Sequence, residues 1–289
     1  MGRSKWDLRD NHKEMYDNAV ECLIQYLRRE NIQKLIIGIS GGIDSMVSVA
    51  IARAAVDTVR HVRIYGRYLP IECARTTEEI AVELDRVADV GRLFCDNFKV
   101  HSMDVAFRQL MPELEHIKSD PRGPFTFDDK VRRGNVMARL RMIQLFHIAH
   151  ELDGMVLSTD NLTEYYLGFW TLHGDVGNYG SIQNLWKTEV YGIAGYLIDL
   201  YRTPPVNAQE EANAIAACYD AIPTDGLGIT DSDFAQIGVN SYSTADMIII
   251  DYLSRRNLHE NHPIIQRLER SEFKRRDPCN VPRHVLVGR

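Results

Sequence analysis

The string Ser40-Gly-Gly-Ile-Asp-Ser45 joins groups that bind anions to a carboxylate that would repel them. Gly41 and Gly42 can take positive φ and bring backbone N–H groups close to a ligand. Ser40 and Ser45 add hydroxyl donors. The helical pattern that follows points its positive end at the same place, and successive amides in such a turn form an anion-binding nest. Phosphate is the matching ligand. Asp44 suits that chemistry if a metal joins it to the phosphate, because Mg²⁺ takes one or two carboxylates plus phosphate oxygens. The turn therefore predicts a second carboxylate at another strand end. The stretch "MVLSTDNLTEYYLGFW" from Met155 to Trp170 offers one. It holds an apolar run, then Ser158-Thr159-Asp160 as a helix start, then Glu164. The simpler account is that Asp160 caps that helix and Glu164 complements its dipole. The turn's spacing differs from G-x-x-x-x-G-K-[ST] and from G-x-G-x-x-G, and it contains no lysine.

Elements must hold these residues in place. Four apolar runs, Leu35–Ile39, His61–Leu69, Phe98–Met103 and Met155–Leu157, read as strands. Helix-like stretches separate them at about 43–57, 72–90, 104–116 and 130–150, and an amphipathic helix over 9–29 precedes them. Strands alternating with helices predict an α/β fold: a doubly wound, mostly parallel sheet flanked by helices. Ligands bind such sheets beyond the carboxyl ends of the strands, where the Ser40–Ser45 turn falls. After residue 160 the pattern is helical, at 161–172, 187–201, 208–219, 243–257 and 261–273. Two segments interrupt it, "HGDVGNYGS" (173–181) and "IPTDGLGITDSD" (222–233). Both are short and flanked by structured sequence, so residues 1–289 read as one domain with a helical C-terminal part.

Bulk properties narrow the classes. The chain has 289 residues, 45% of them hydrophobic, and a formal net charge of −6. An acidic average argues against nucleic-acid binding but permits a small anionic ligand at a local cluster of donors. No run of about 18 apolar residues predicts a membrane span, and the first residues are too polar for a secretory signal. The five cysteines are scattered without a C-x-x-C pair, which points away from zinc or a disulfide framework. The expectation is a cytoplasmic protein with reduced thiols. The ten histidines form no metal-binding pair in sequence.

The Ser-Gly-Gly-Ile-Asp-Ser string resembles the signature of ATP pyrophosphatases, which bind the β,γ-pyrophosphate of ATP and transfer AMP to an acceptor. "GISGGIDS", "GNVMARLRMIQLFHIA", "VLSTDNLTEYYLGFWTLHGDVG", "WKTEV" and "FKRRDP" stand in the order seen in ammonia-dependent NAD synthetases. That resemblance runs from about residue 20 to 280. It implies a homodimer that adenylates the nicotinate carboxylate of deamido-NAD and lets ammonia displace AMP. It further implies that Ser40, Gly41, Gly42, Asp44 and Ser45 hold pyrophosphate and Mg²⁺, with Glu164 as second metal ligand. Thr159 would contact adenosine, and Thr224 a phosphate. Lys187 and Lys274 would neutralise charge on departing pyrophosphate. Asn135, Arg139, Phe169 and Asp175, with Lys274, would face the dinucleotide. Plainer readings exist for each group. Arg139 and Arg141 could be solvated, Phe169 and Trp170 core aromatics, Lys187 an exposed helix start, and Asp175 and Thr224 turn residues.

Three departures from the family stand out. The loop "PTDGLGITDSD" is short, "GDVGNYG" carries Val176 and Tyr179 where glycine and an acid are usual, and Phe273 replaces a histidine. They leave two alternatives open: the same chemistry on nicotinate mononucleotide, or a nucleotide-binding relative without turnover. About 34 residues precede the first strand and no amidase arrangement is apparent, so free ammonia is the expected nitrogen donor.

Overall fold

The structure, a computed structural model, describes residues 4–71, 77–114, 126–174, 177–224, 226–254, 259 and 261–276. The order along the chain is α1 (His12–Arg29), β1 (Lys34–Gly38), α2 (Ile43–Val59), β2 (Arg63–Tyr68), α3 (Thr77–Phe94) and β3 (Asn97–Val100). Then come α4 (Asp104–Leu114), α5 (Phe127–Leu152), β4 (Met155–Ser158), α6 (Leu162–Leu167) and β5 (Tyr179–Gly180). The remainder is helical: α7 (Lys187–Arg202), α8 (Gln209–Tyr219), α9 (Asp233–Ile237), α10 (Tyr242–Leu253), α11 (Pro263–Arg270) and a 3-10 turn at Glu272–Arg276.

The sheet order is β3-β2-β1-β4-β5, and every pairing is parallel. Strand alternation explains how its centre is buried on both faces. Leu35 and Ile37 of β1, with Met155 and Leu157 of β4, join the core shared with α1, α2, α7 and α8. Ile36 and Val156 point the other way, against Ile148 and Ala149 of α5. A separate apolar cluster joins α6, Trp186, α9, α10 and α11.

The doubly wound parallel sheet agrees with the sequence expectation. Three elements differ. The helix expected at 161–172 ends at Leu167, because Gly168 at φ 60° leaves the helix in the left-handed region. A side chain there would also collide with Ser271, whose Cβ lies 2.2 Å from the position of an added Cβ. β5 and α9 were not anticipated; at two and five residues they are too short for a periodic signal.

The chain winds β1, β2, β3 to one side of the sheet and then returns to lay β4 and β5 on the other. The reversal lies between β1 and β4, so the carboxyl ends of those two strands flank the crevice where such sheets bind ligands.

Candidate active site at the strand switch point

Ser40–Ser45 leaves β1 and enters α2 at this crevice. Gly42 is the N-cap of α2, and Gly41 sits at φ +77°, a conformation that side-chain-bearing residues rarely adopt. The serines bond within the turn. Ser45 Oγ donates to Gly42 O at 3.0 Å and accepts from Ser40 N at 3.3 Å. Ser40 Oγ accepts from Gly42 N at 3.3 Å and lies 3.2 Å from Ser45 Oγ. The hydroxyls expected to meet a ligand thus first hold the loop's shape.

Asp44, in the first turn of α2, meets residues more than a hundred positions away. Asn161 Nδ2 donates to its Oδ1 at 2.9 Å, and the Lys187 ammonium bonds its Oδ2. The same ammonium reaches Glu164 Oε1 at 3.2 Å. Asn161, and not Asp160, caps α6: its side chain accepts from Glu164 N at 3.0 Å. The other Glu164 oxygen accepts from Asn161 N at 3.3 Å. The helix-start role and the site role of Glu164 are therefore simultaneous. Lys187 is buried, its side chain 4% exposed, which overturns the reading of an exposed helix start.

Burial is the largest influence on Glu164 and raises its pKa to about 8, against the pull of Lys187 and with the push of Asp44. Burial also acts to lower the Lys187 pKa, but Asp44 and Glu164 outweigh it and hold the lysine well above its ordinary value. The pocket thus favours the charged form of Lys187 and, by burial, the protonated form of Glu164.

Lys187 is positioned from behind by groups that sequence reasoning missed. Its backbone N–H donates to Thr163 Oγ1 at 2.8 Å, and that hydroxyl donates to Asp246 Oδ1 at 2.5 Å. Thr188 N and Oγ1 donate to Asp246 Oδ2 at 3.0 and 2.6 Å. Asp246, fully buried in α10, ties the starts of α6 and α7 together. Burial raises its pKa to about 6, although both threonines and Lys187 act to lower it. In sequence, Asp246 was one acid within an apolar helix; its partners lie 58 and 83 positions away.

Ser40, Gly42, Asp44, Ser45, Glu164 and Lys187 line a cavity of about 560 Å³. Thr159 and Asp160 line it beyond β4, and Thr224 lines it from an exposed position. The lining also includes Asn135, Phe169, Trp170, Arg267 and Lys274. Asn135 Oδ1 accepts from Thr171 at 2.8 Å. Lys274 Nζ donates to Gly168 O at 2.8 Å and Trp170 O at 2.6 Å. Arg267 donates to Leu167 O at 2.9 Å and stacks 5.0 Å from the Phe169 ring centre. Lys274, expected on phosphate, is thus engaged with the carbonyls that follow α6, where a cation complements the helix end. Arg139 is exposed, donates to Leu172 O at 3.2 Å and is not part of the cavity lining. Arg141 does line it, bonded to Leu69 O and Gly226 O. Asp175 and Val176 lie outside the described residues.

Among the described residues no group of three or more His, Cys, Asp or Glu side chains is placed to hold a metal. Asp44 and Glu164 supply two carboxylates beside a phosphate-type turn. That donor set fits a hard cation that completes its shell with phosphate oxygens and water. It lacks the cysteine and histidine ligands on which structural zinc sites are built.

A profile of the family described as NAD synthase matches residues 15–278. The NH(3)-dependent NAD(+) synthetase of Methanosarcina acetivorans is 26% identical over 278 residues, spanning 91% of this chain and 97% of its own. The same-named protein of Methanopyrus kandleri is 30% identical over 252 residues, 83% of this chain and 81% of that one. Among solved structures, that of NMN synthetase from Francisella tularensis superposes with a TM-score of 0.72 at 23% identity, covering 96% of this chain and all of the other.

Proposed function

The chain belongs to the NAD synthase family of ATP-dependent ligases, and from that premise we propose that it amidates deamido-NAD to NAD with ammonia. ATP adenylates the nicotinate carboxylate and pyrophosphate leaves; ammonia then displaces AMP. The observation that carries this reading is the meeting of Asp44, Glu164 and Lys187 beside the Ser40–Ser45 turn, at the switch point of the sheet.

The chemistry needs little more from the protein than placement and charge. A carboxylate is a poor acyl donor because its leaving group would be oxide. Adenylation replaces oxide with AMP, but two anions must first approach each other. The turn amides and the positive end of α2 receive the phosphates. Lys187 shifts its ammonium toward the charge that grows on departing pyrophosphate. Asp44 and Glu164 would hold Mg²⁺, which when bound screens phosphate repulsion. Thr159 faces adenosine and Thr224 contacts a phosphate from the rim. Asn135 and Phe169, which line the cavity beside Lys274, face the pyridine nucleotide. Enclosure of the adenylate keeps water from competing with ammonia.

Two copies would pair in solution, as the family resemblance implies. Among the described residues no helix is long and apolar enough to cross a membrane.

A mass-resolved assay with ATP, Mg²⁺, ammonium and deamido-NAD tests the reading. NAD and AMP should appear in equal amounts, and Asp44→Ala should abolish both; ADP as product would refute the mechanism. A second reading, amidation of nicotinate mononucleotide, is favoured by the full-length likeness to an NMN synthetase and by the altered 174–180 loop. Relative kcat/KM for the mononucleotide and dinucleotide separates the two.

A further inference from the structure

The phosphate turn contains no lysine, yet an arginine stands directly over it. Arg86 projects from α3 into the same cavity as Ser40, Gly42 and Asp44. A Cβ added at Gly41 would lie 3.0 Å from Arg86 Nε and 3.4 Å from Nη2. The guanidinium therefore occupies the space that the absent side chain leaves open. Cys218 of α8, another lining residue, is close enough to feel its charge, which places the group between α3, α8 and the turn.

The other cations of the cavity are engaged. Lys187 holds two carboxylates, Lys274 two carbonyls, and Arg267 the carbonyl of Leu167. Arg67 bonds Gly66 O and Asn97, and Arg141 bonds Leu69 O and Gly226 O. Arg86 differs. Among the described residues its guanidinium has no hydrogen-bond or ion-pair partner, and its Nε is buried. A buried donor left unsatisfied is unfavourable, and arginine cannot escape by losing its proton. An anion that enters the cavity at the turn would supply partners to this guanidinium.

We propose that Arg86 is a phosphate-binding residue that grips the terminal phosphates of a nucleoside triphosphate, and the pyrophosphate released from it, from the α3 side of the Ser40–Ser45 turn. Its planar fork matches two phosphate oxygens at once, and it supplies the cation that other phosphate loops draw from a lysine within the loop. The assignment rests on the reading of the turn as the site for ATP phosphates.

The test is calorimetric binding of inorganic pyrophosphate, with Mg²⁺, to the full chain and to Arg86→Ala and Arg86→Lys, alongside steady-state kinetics. Arg86→Ala should raise the pyrophosphate Kd and the KM for ATP at least tenfold, with the KM for the pyridine nucleotide within twofold. Arg86→Lys should fall between, at least threefold weaker than the parent, because it keeps the charge and loses the fork. Should Arg86→Ala fail to fold, the lysine variant carries the test. Parent-like pyrophosphate affinity in either folded variant would overturn the role of Arg86 while leaving the turn's role intact. Failure of the unmodified chain to bind pyrophosphate in competition with ATP would overturn the reading of the turn, and this assignment with it. An equal rise in both KM values would mark Arg86 as structural and overturn the proposal.

Discussion

In one part of the cavity a single lysine is shared by two acids; in another, Lys274 and Arg267 are bonded to backbone carbonyls behind α6. The first arrangement pairs charges that an incoming cation or phosphate can exchange. The second fixes a wall, because the carbonyls at a helix end remain there whatever binds. Charge chemistry is concentrated where β1 and β4 end, and shape where Phe169 and Trp170 stand. The same residue type, lysine, does both jobs, and its bonding partners decide which.

The comparison breaks most sharply at Lys187. Lys187→Met removes the cation between two acids in a buried pocket, and loss of one partner from such a group typically costs about 3–5 kcal/mol. We expect that destabilisation in chemical unfolding and a loss of at least a thousandfold in kcat/KM for ATP. A stable and active variant would show that the phosphate site does not depend on the shared charge.

Asp246 tests whether the phosphate site is positioned from behind. Its folded pKa, about 6, is raised from 3.8. The fold thus holds this proton more tightly than the unfolded chain. The stability gained is complete below about pH 3.8 and is lost as pH rises through 6. Asp246→Asn cannot ionise. Its unfolding free energy should therefore gain on that of the parent between pH 4 and 7, by up to about 3 kcal/mol from a shift of roughly two pKa units. Unfolding curves across that range would contradict the account if the two proteins stayed parallel.

The smallest effect is expected at the wall. Lys274→Met loses bonds to Gly168 O and Trp170 O, for about 1 kcal/mol of stability. The KM for the pyridine nucleotide should rise severalfold and kcat fall less. A hundredfold fall in kcat would place Lys274 on the reacting phosphates instead and erase the distinction between the two parts.

The parts of the site that could be read from residue order are those built locally. The Ser40–Ser45 turn is six consecutive residues, and its chemistry follows from amides, glycines and the helix behind it. Glu164 was accessible because a metal beside Asp44 asks for a second acid at a strand end. Asn161 was hidden by Asp160, an equally good cap one residue earlier; the contact with Asp44 is what distinguishes them. Asp246 and Arg86 carried no local signal. One is an acid in an apolar helix and the other a basic residue in an amphipathic one, and only the packing of α10 on α6 and α7, or of α3 against the turn, gives them partners. The sheet was legible for a related reason: β1 and β4 are apolar on both faces, whereas β5 has two residues and no pattern.

The central claim is transfer of AMP to a carboxylate at the meeting point of Asp44, Glu164 and Lys187, and oxygen labelling tests it most directly. With ¹⁸O in the substrate carboxylate, the attacking oxygen remains on phosphorus when ammonia displaces AMP. One labelled oxygen should therefore appear in each AMP released and none in pyrophosphate. AMP without label, or label in inorganic phosphate, would contradict the account.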